Sequence, residues 1–181
     1  MPVVSNVMTE LLQIHVDIEL RVQAIRSAHR DWLFRMGCDG CCRRLAQIPR
    51  LTAAEWELLC AGLVQLPPED LREIGRNVAA LALQSTRPLV CPMLDQAQGA
   101  CRVYAHRPVA CRTYGFYVER DLGLYCKDIE ARVVDGALAG VVWGNQASIE
   151  RGLDELGDRR DLTEWFELWQ VAQVPTSSNE A

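Results

Sequence analysis

Leu11, Ile14, Ile18, Val22, Ile25 and Trp32 recur at helical spacing, so the pattern predicts one long helix over residues 9–36. Glu10, Asp17, Arg21 and Arg30 fall mostly on the rest of its surface. Gly37 is the expected stop, which makes Cys38 the start of a loop held at a helix end. Thr52-Ala53-Ala54-Glu55 is a capping-box pattern that opens a second helix, with Trp56, Leu59, Cys60 and Leu63 at i, i+3, i+4 and i+7. Pro67-Pro68 break the chain. Glu69 and Asp70 then suit the first turn of a third helix, which buries Leu71, Ile74, Val78 and Leu81 and ends before Arg87-Pro88.

Beyond this point the periodicity fades. Residues 87–112 carry little period of either kind and read as irregular. Tyr114, Phe116 and Val118 alternate with polar or small neighbours, Asp121-Leu122-Gly123 reads as a turn, and Leu124-Tyr125-Cys126 as extended. A small hairpin is predicted, returning Cys126 beside the irregular segment. Residues 129–143 fit helix and strand equally. Asn145 is a candidate cap for a helix carrying Ile149, Leu153 and Leu156, stopped by Gly157. Asp161-Leu162-Thr163-Glu164 resembles a second capping box, and its helix packs Leu162, Trp165, Phe166 and Trp169. Residues 175–181 read as a flexible tail. The expected fold is mainly α: a single helical domain over residues 1–174, with a central irregular cysteine-rich metal-binding segment and a small β-hairpin.

Composition narrows the setting. The chain has 181 residues and a net charge of −5, so it lacks the basic footprint usual for a nucleic-acid binder. Lys127 is the sole lysine and every other cationic chain is arginine, the better partner for carboxylates, phosphates and thiolate-rich sites. The first residues show no basic and apolar leader, and no apolar run approaches the roughly 20 residues a spanning helix needs. These features predict a cytoplasmic protein with no membrane partner. In a reducing compartment, eight cysteines point to metal ligands or catalytic thiols ahead of disulfides.

Cys60 lies on the apolar stripe of its helix and is assigned to packing. Seven thiols remain as candidate metal ligands: Cys38, Cys41, Cys42, Cys91, Cys101, Cys111 and Cys126. In Cys38-Asp39-Gly40-Cys41-Cys42, the two-residue gap lets two thiolates converge on one metal, and Gly40 permits the tight turn. Closed tetrahedral zinc uses four thiolates, and so does a [4Fe–4S] cluster. Seven exceed either need, which leaves two metals, bridging thiolates or spare redox thiols open. The spacing from Cys91 to Cys101 to Cys111 matches neither a zinc ribbon nor a ferredoxin run.

Arg43, Arg44, Arg102, Arg107 and Arg112 flank the thiols and would offset a thiolate-rich centre. Pro92 and Pro108 stiffen the chain beside Cys91 and Cys111. Tyr104, Tyr114 and Tyr117 are expected to wall the site. His106 lies within the motif as a lesser ligand candidate, and His29 is an outside one. No nucleophile–base motif, phosphate loop or dinucleotide fingerprint is present.

Cys38-x-x-Cys41-Cys42, Cys91-Pro92-x-Leu94, Cys101-x-Val103-Tyr104, Arg107-Pro108-x-x-Cys111-Arg112 and Cys126 together resemble the CxxCxxCC (YkgJ-like) cysteine-cluster family of zinc- or iron-chelating proteins. The resemblance covers roughly residues 34–128 and leaves the flanking helices unmatched. It departs at one point: the family motif begins with a further cysteine shortly before Cys38, where this chain has Phe34-Arg35-Met36. The resemblance implies chelation of zinc or iron, including an iron–sulfur cluster. A bacterial flagellin lysine methylase has a similar cysteine motif, which links some relatives to protein methylation.

Three functional readings follow. The first is a metal-binding protein whose partner is a metal ion or cluster. The second is a metal-dependent, methyltransferase-like enzyme acting on a protein substrate. The third is a metal carrier or redox sensor. The sequence leaves open whether the chain is an enzyme.

Overall fold

The computed structural model describes residues 6–120 and 122–173. The proposed tail, and the Asp121 of the expected turn, lie outside the described residues. The architecture is mainly helical with small β-sheets. In chain order the elements are α1 (Asn6–Ala28), β1 (Arg50–Thr52), α2 (Ala53–Leu63), α3 (Pro68–Leu83), β2 (Leu94–Asp95), β3 (Ala100–Cys101), a single 3-10 turn at Tyr104–His106, α4 (Val109–Thr113), β4 (Tyr117–Glu119), β5 (Leu122–Gly123), α5 (Lys127–Val134), β6 (Gly144–Asn145), α6 (Gln146–Glu155), β7 (Arg159–Asp161) and α7 (Leu162–Gln173). Among the described residues, no helix is long and apolar enough to cross a membrane.

Two hydrophobic cores divide the chain. The first gathers Leu11, Ile18, Val22 and Ile25 of α1 around Trp32, Phe34, Phe116 and Ile129. In it the Trp32 ring stacks on Phe116 at 5.7 Å, and Phe34 meets Phe116 edge-on at 5.7 Å. The second packs α2, α3 and α7 through Trp56, Leu59, Leu63, Ile74, Val78, Leu162 and Phe166. Strands β1 and β7 pair antiparallel beneath it, with Arg50 opposite Asp161 and Thr52 opposite Arg159. There Trp56 stacks on Trp165, whose indole N–H donates to the Leu51 carbonyl at 2.9 Å.

Helices two and three start where the sequence places them. Thr52 caps α2, with both halves of the capping box formed through Glu55. Helix α3 begins at Pro68 with Glu69 and Asp70 in its first turn, and buries Ile74, Val78 and Leu81. Asn145 does stand at the N-cap of α6, but its side chain makes no capping hydrogen bond.

The first helix is shorter than its periodicity suggests. It ends at Ala28, so the first cysteine knot, Cys38-Asp39-Gly40-Cys41-Cys42, is not held at a helix end. The reason lies in the burial of alternate residues: Trp32 and Phe34 are buried, whereas Leu33 between them is 40% exposed. A helix cannot put positions two apart on one face, whereas an extended segment does so naturally. Burying two aromatic rings in the first core outweighs another two turns of helix. Phe34 packs directly over Gly115, where φ is +85° and a Cβ would come within 2.8 Å of the Phe34 ring. Only glycine fits there without displacing the core.

The expected hairpin exists, although Leu122-Gly123 belong to β5 and not to the turn. Val118 pairs with Gly123 and Glu119 with Leu122. A third strand, β6, joins β4 in parallel and was not expected. The ambiguous stretch resolves into α5 followed by turns. Within the irregular segment the structure adds the β2–β3 hairpin and the short α4, elements too brief to leave a period in the sequence.

Candidate metal centre

Backbone pairing brings the 38–42 knot to a second one, the segment that carries Cys91, Cys101 and Cys111. The Cys91 N–H donates to the Cys42 carbonyl at 2.7 Å, and Leu45 and Leu89 exchange backbone bonds at 2.9 and 3.0 Å. Arg87 Nε donates to the Ala46 carbonyl at 2.7 Å, extending the same contact. Leu89 is fully buried and anchors this run. The β2–β3 hairpin then sets Leu94 opposite Cys101, and the Arg102 N–H donates to the Met93 carbonyl at 2.9 Å. Its tip is closed by Asp95, whose Oδ1 accepts from the N–H groups of Ala97 and Gln98, both at 3.0 Å. Arg43 clamps the tip to the first knot: Nε pairs with Asp39 at 2.5 Å, and Nη2 donates to the Gln96 carbonyl at 3.1 Å.

Cys111 is delivered separately. Pro108 precedes α4, and the Val109 N–H donates to the buried Glu55 carboxylate at 3.0 Å. Cys111 thus rides on a short helix fastened to the start of α2.

The outcome is a cavity of about 60 Å³ lined by Cys38, Cys41, Cys42, Cys91, Cys101 and Cys111. Cys126 does not line it. It stands just before α5 and packs on the first core beside Cys38 and Cys41. Cys60 also lies off the cavity, packed against the second core as its apolar position suggests. The Cys41 and Cys42 sulfurs are 3.9 Å apart. Among the described residues, no three His, Cys, Asp or Glu side chains form a ready-made coordination set.

The surroundings favour the protonated form of Cys38, Cys41, Cys42, Cys101 and Cys111. Burial raises Cys38, Cys101 and Cys111 above the ordinary thiol range, and for Cys111 the neighbouring Cys41, Cys42 and Cys101 add to it. Cys41 is raised first by its hydrogen bond with Cys42 and then by burial. For Cys42, the bond with Cys41 works downward, but the bond with Cys91 and burial prevail and push it up to about 12. Neutral thiols have no reason to converge tightly. A cation reverses the balance, because a coordinating thiol is deprotonated outright.

The flanking groups sort differently from the expectation. Arg102 turns away from the thiols to α3, pairing with Asp70 at 3.2 Å and Glu73 at 2.9 Å. Arg112 holds backbone carbonyls across the loop, those of Arg107 at 3.0 Å and Ala105 at 2.6 Å. Arg107 lines the cavity, stacked 3.7 Å over the Tyr104 ring, and its Nε and Nη1 are buried without hydrogen-bond partners. Tyr104 is a wall residue as expected, and Tyr114 lies near Cys126, Cys41 and Cys38. Tyr117 is instead buried in the first core. His106 packs against Gly62 of α2, and His29 sits beside Trp32; neither lines the cavity.

Sequence reasoning missed Phe34 and Met93 as lining residues, and missed that Glu55 supports α4. Phe34 had one available signal, its place in the stretch where the resemblance leads one to expect a further cysteine.

A family model for CxxCxxCC, described as "Putative zinc- or iron-chelating domain", matches residues 35–131. The chain belongs to the CxxCxxCC family. No curated protein and no solved structure matches it. The CxxCxxCC match runs from the residue after Phe34 into α5, and so spans both cysteine knots, the cavity and Cys126. The donor set of this member fits such a group: zinc and iron both take thiolates, and Arg107 lines the cavity with Nε and Nη1 buried and without hydrogen-bond partners.

Proposed function

We propose that this CxxCxxCC protein binds zinc or iron through its cysteine cluster, with Cys38, Cys41, Cys42, Cys91, Cys101, Cys111 and Cys126 as the ligands. One observation carries the reading: six thiols from four separate stretches of chain line a single small cavity. Bound there, the metal would supply cross-linking energy, tying the 38–42 loop to the 91–111 segment without a disulfide. Arg107 would neutralise part of the thiolate charge, and the apolar wall of Phe34, Met93 and Val103 would limit water at the sulfurs.

A methyltransferase-like or other protein-modifying activity would call for several polar groups converging on the cavity. Apart from the thiols, Arg35, Asp39, Tyr104 and Arg107 are the polar side chains there, and Asp39 is already paired with Arg43. That composition favours chelation.

The test is anaerobic purification followed by metal analysis and a visible spectrum. Zinc or iron bound to the folded chain, and released together with a fall in melting temperature on chelation, is the expected result. A metal-free chain that neither takes up zinc or iron nor gains stability from them would overturn the proposal.

A further inference from the structure

Seven thiols exceed what one tetrahedral ion takes, and the fold does not spread them evenly. Cys38, Cys41 and Cys126 pack against the first core. Cys91 and Cys101 pack against the second. Cys42 sits where the two groups meet. Its carbonyl accepts from Cys91, and its sulfur lies 3.9 Å from that of Cys41. Two sulfurs about 2.3 Å from one tetrahedral zinc stand about 3.8 Å from each other, so the Cys41–Cys42 pair is already at the spacing of ligands on a shared ion.

Tyr114 lies near Cys126, Cys41 and Cys38, which gathers those three on one side. Cys41 also lies near Cys101 and Cys111, as its place beside Cys42 at the junction requires. A count of donors agrees with this arrangement. Two closed tetrahedra need eight positions, and seven thiolates fill eight when one of them bridges.

We propose that the cluster is a dinuclear thiolate centre, with one ion on Cys42, Cys91, Cys101 and Cys111, the other on Cys38, Cys41, Cys126 and the shared Cys42. This rests on the chelation reading above and adds its stoichiometry and its division. Each thiol gives up its proton on binding, so seven protons are released for two divalent ions. The centre then carries a net charge of −3, and Arg107, with two buried guanidinium nitrogens lacking hydrogen-bond partners, is a counter-charge on the cavity wall near Cys101 and Cys111.

The experiment is cobalt(II) titration of the reduced, metal-free full-length chain. It follows thiolate-to-metal absorbance, with zinc and acid-labile sulfide measured on the protein as purified. The expected end point is two equivalents, with no sulfide. Cys126→Ser should saturate at one equivalent, and so should Cys111→Ser. Circular dichroism of each variant identifies any that has failed to fold, and the wild-type end point stands independently of them. An end point of one equivalent overturns the dinuclear centre and leaves chelation intact, as does a chain purified with four irons and sulfide. So does a folded Cys126→Ser that still takes two. No uptake by the wild type sinks both readings.

Discussion

Glu55 and Val109, 54 residues apart in the chain, are joined by a hydrogen bond of 3.0 Å from the Val109 N–H to Glu55 Oε1. The other carboxylate oxygen accepts from the Thr52 N–H at 3.0 Å. One buried side chain therefore closes the start of α2 and holds the start of α4, which carries Cys111. Burial pushes the Glu55 carboxyl above its usual range, with the bonds from Thr52 and Val109 working against that. Glu55→Ala leaves two backbone donors without acceptors. It should destabilise the fold by about 3 kcal/mol in urea unfolding, since each buried unpaired N–H costs roughly 1–3 kcal/mol. Glu55→Gln, which keeps one acceptor, should fall between. A loss for the alanine variant no larger than the roughly 0.5 kcal/mol of an ordinary surface change would show that the bond does not hold α4.

Arg107 offers a direct probe of the charge at the cavity. Its guanidinium is fixed against Tyr104, and two of its N–H groups are buried with no acceptor. Arg107→Gln should fold normally without metal and weaken metal retention about tenfold, the scale of one charge-assisted hydrogen bond. Competition against a chromogenic chelator reads this out. Arg107→Lys should recover only part of the loss, because lysine lacks the planar fork. Equal retention by all three proteins would count against a role for this residue at the centre.

His15 on α1 predicts a pH effect away from the thiols. Burial, then the positive charges of Arg112 and Arg107, lower its pKa to about 4 from 6.5. Its Nε2 is buried and without a partner. Between those two values the unfolded chain binds more protons, so stability rises with pH across the window. The contribution is fully present above about 6.5 and is lost as pH falls toward 4. Thermal melts of the metal-free chain from pH 7 to pH 4 should show a steeper decline in the wild type than in His15→Gln. Parallel curves would rule out His15 as the source.

Cys60 separates packing from ligation. It lies on α2 against the second core, off the cavity, and burial raises its thiol to about 11. Cys60→Ser should keep the full metal content of the wild type, with a modest loss of stability from placing a hydroxyl where a small apolar side chain packs. Metal loss in this variant would return Cys60 to the ligand set.

The sequence by itself determined the local features whose cause is local. The Thr52–Glu55 cap, the start of α3 and the apolar faces of α2 and α7 depend on residues within a turn or two of each other. The packing of Cys60 against the second core was legible for the same reason, since it falls on a helical stripe. Tertiary structure alone decided where α1 stops, because Trp32 and Phe34 gain more from Phe116 and Gly115 than from continuing the helix. It alone brought Cys42 against Cys91, through the exchange between Leu45 and Leu89, and revealed Glu55 under α4. Those pairings join residues tens of positions apart through single backbone bonds and buried side chains. Such contacts leave no periodicity in the chain, because their energy comes from what the fold places opposite each residue.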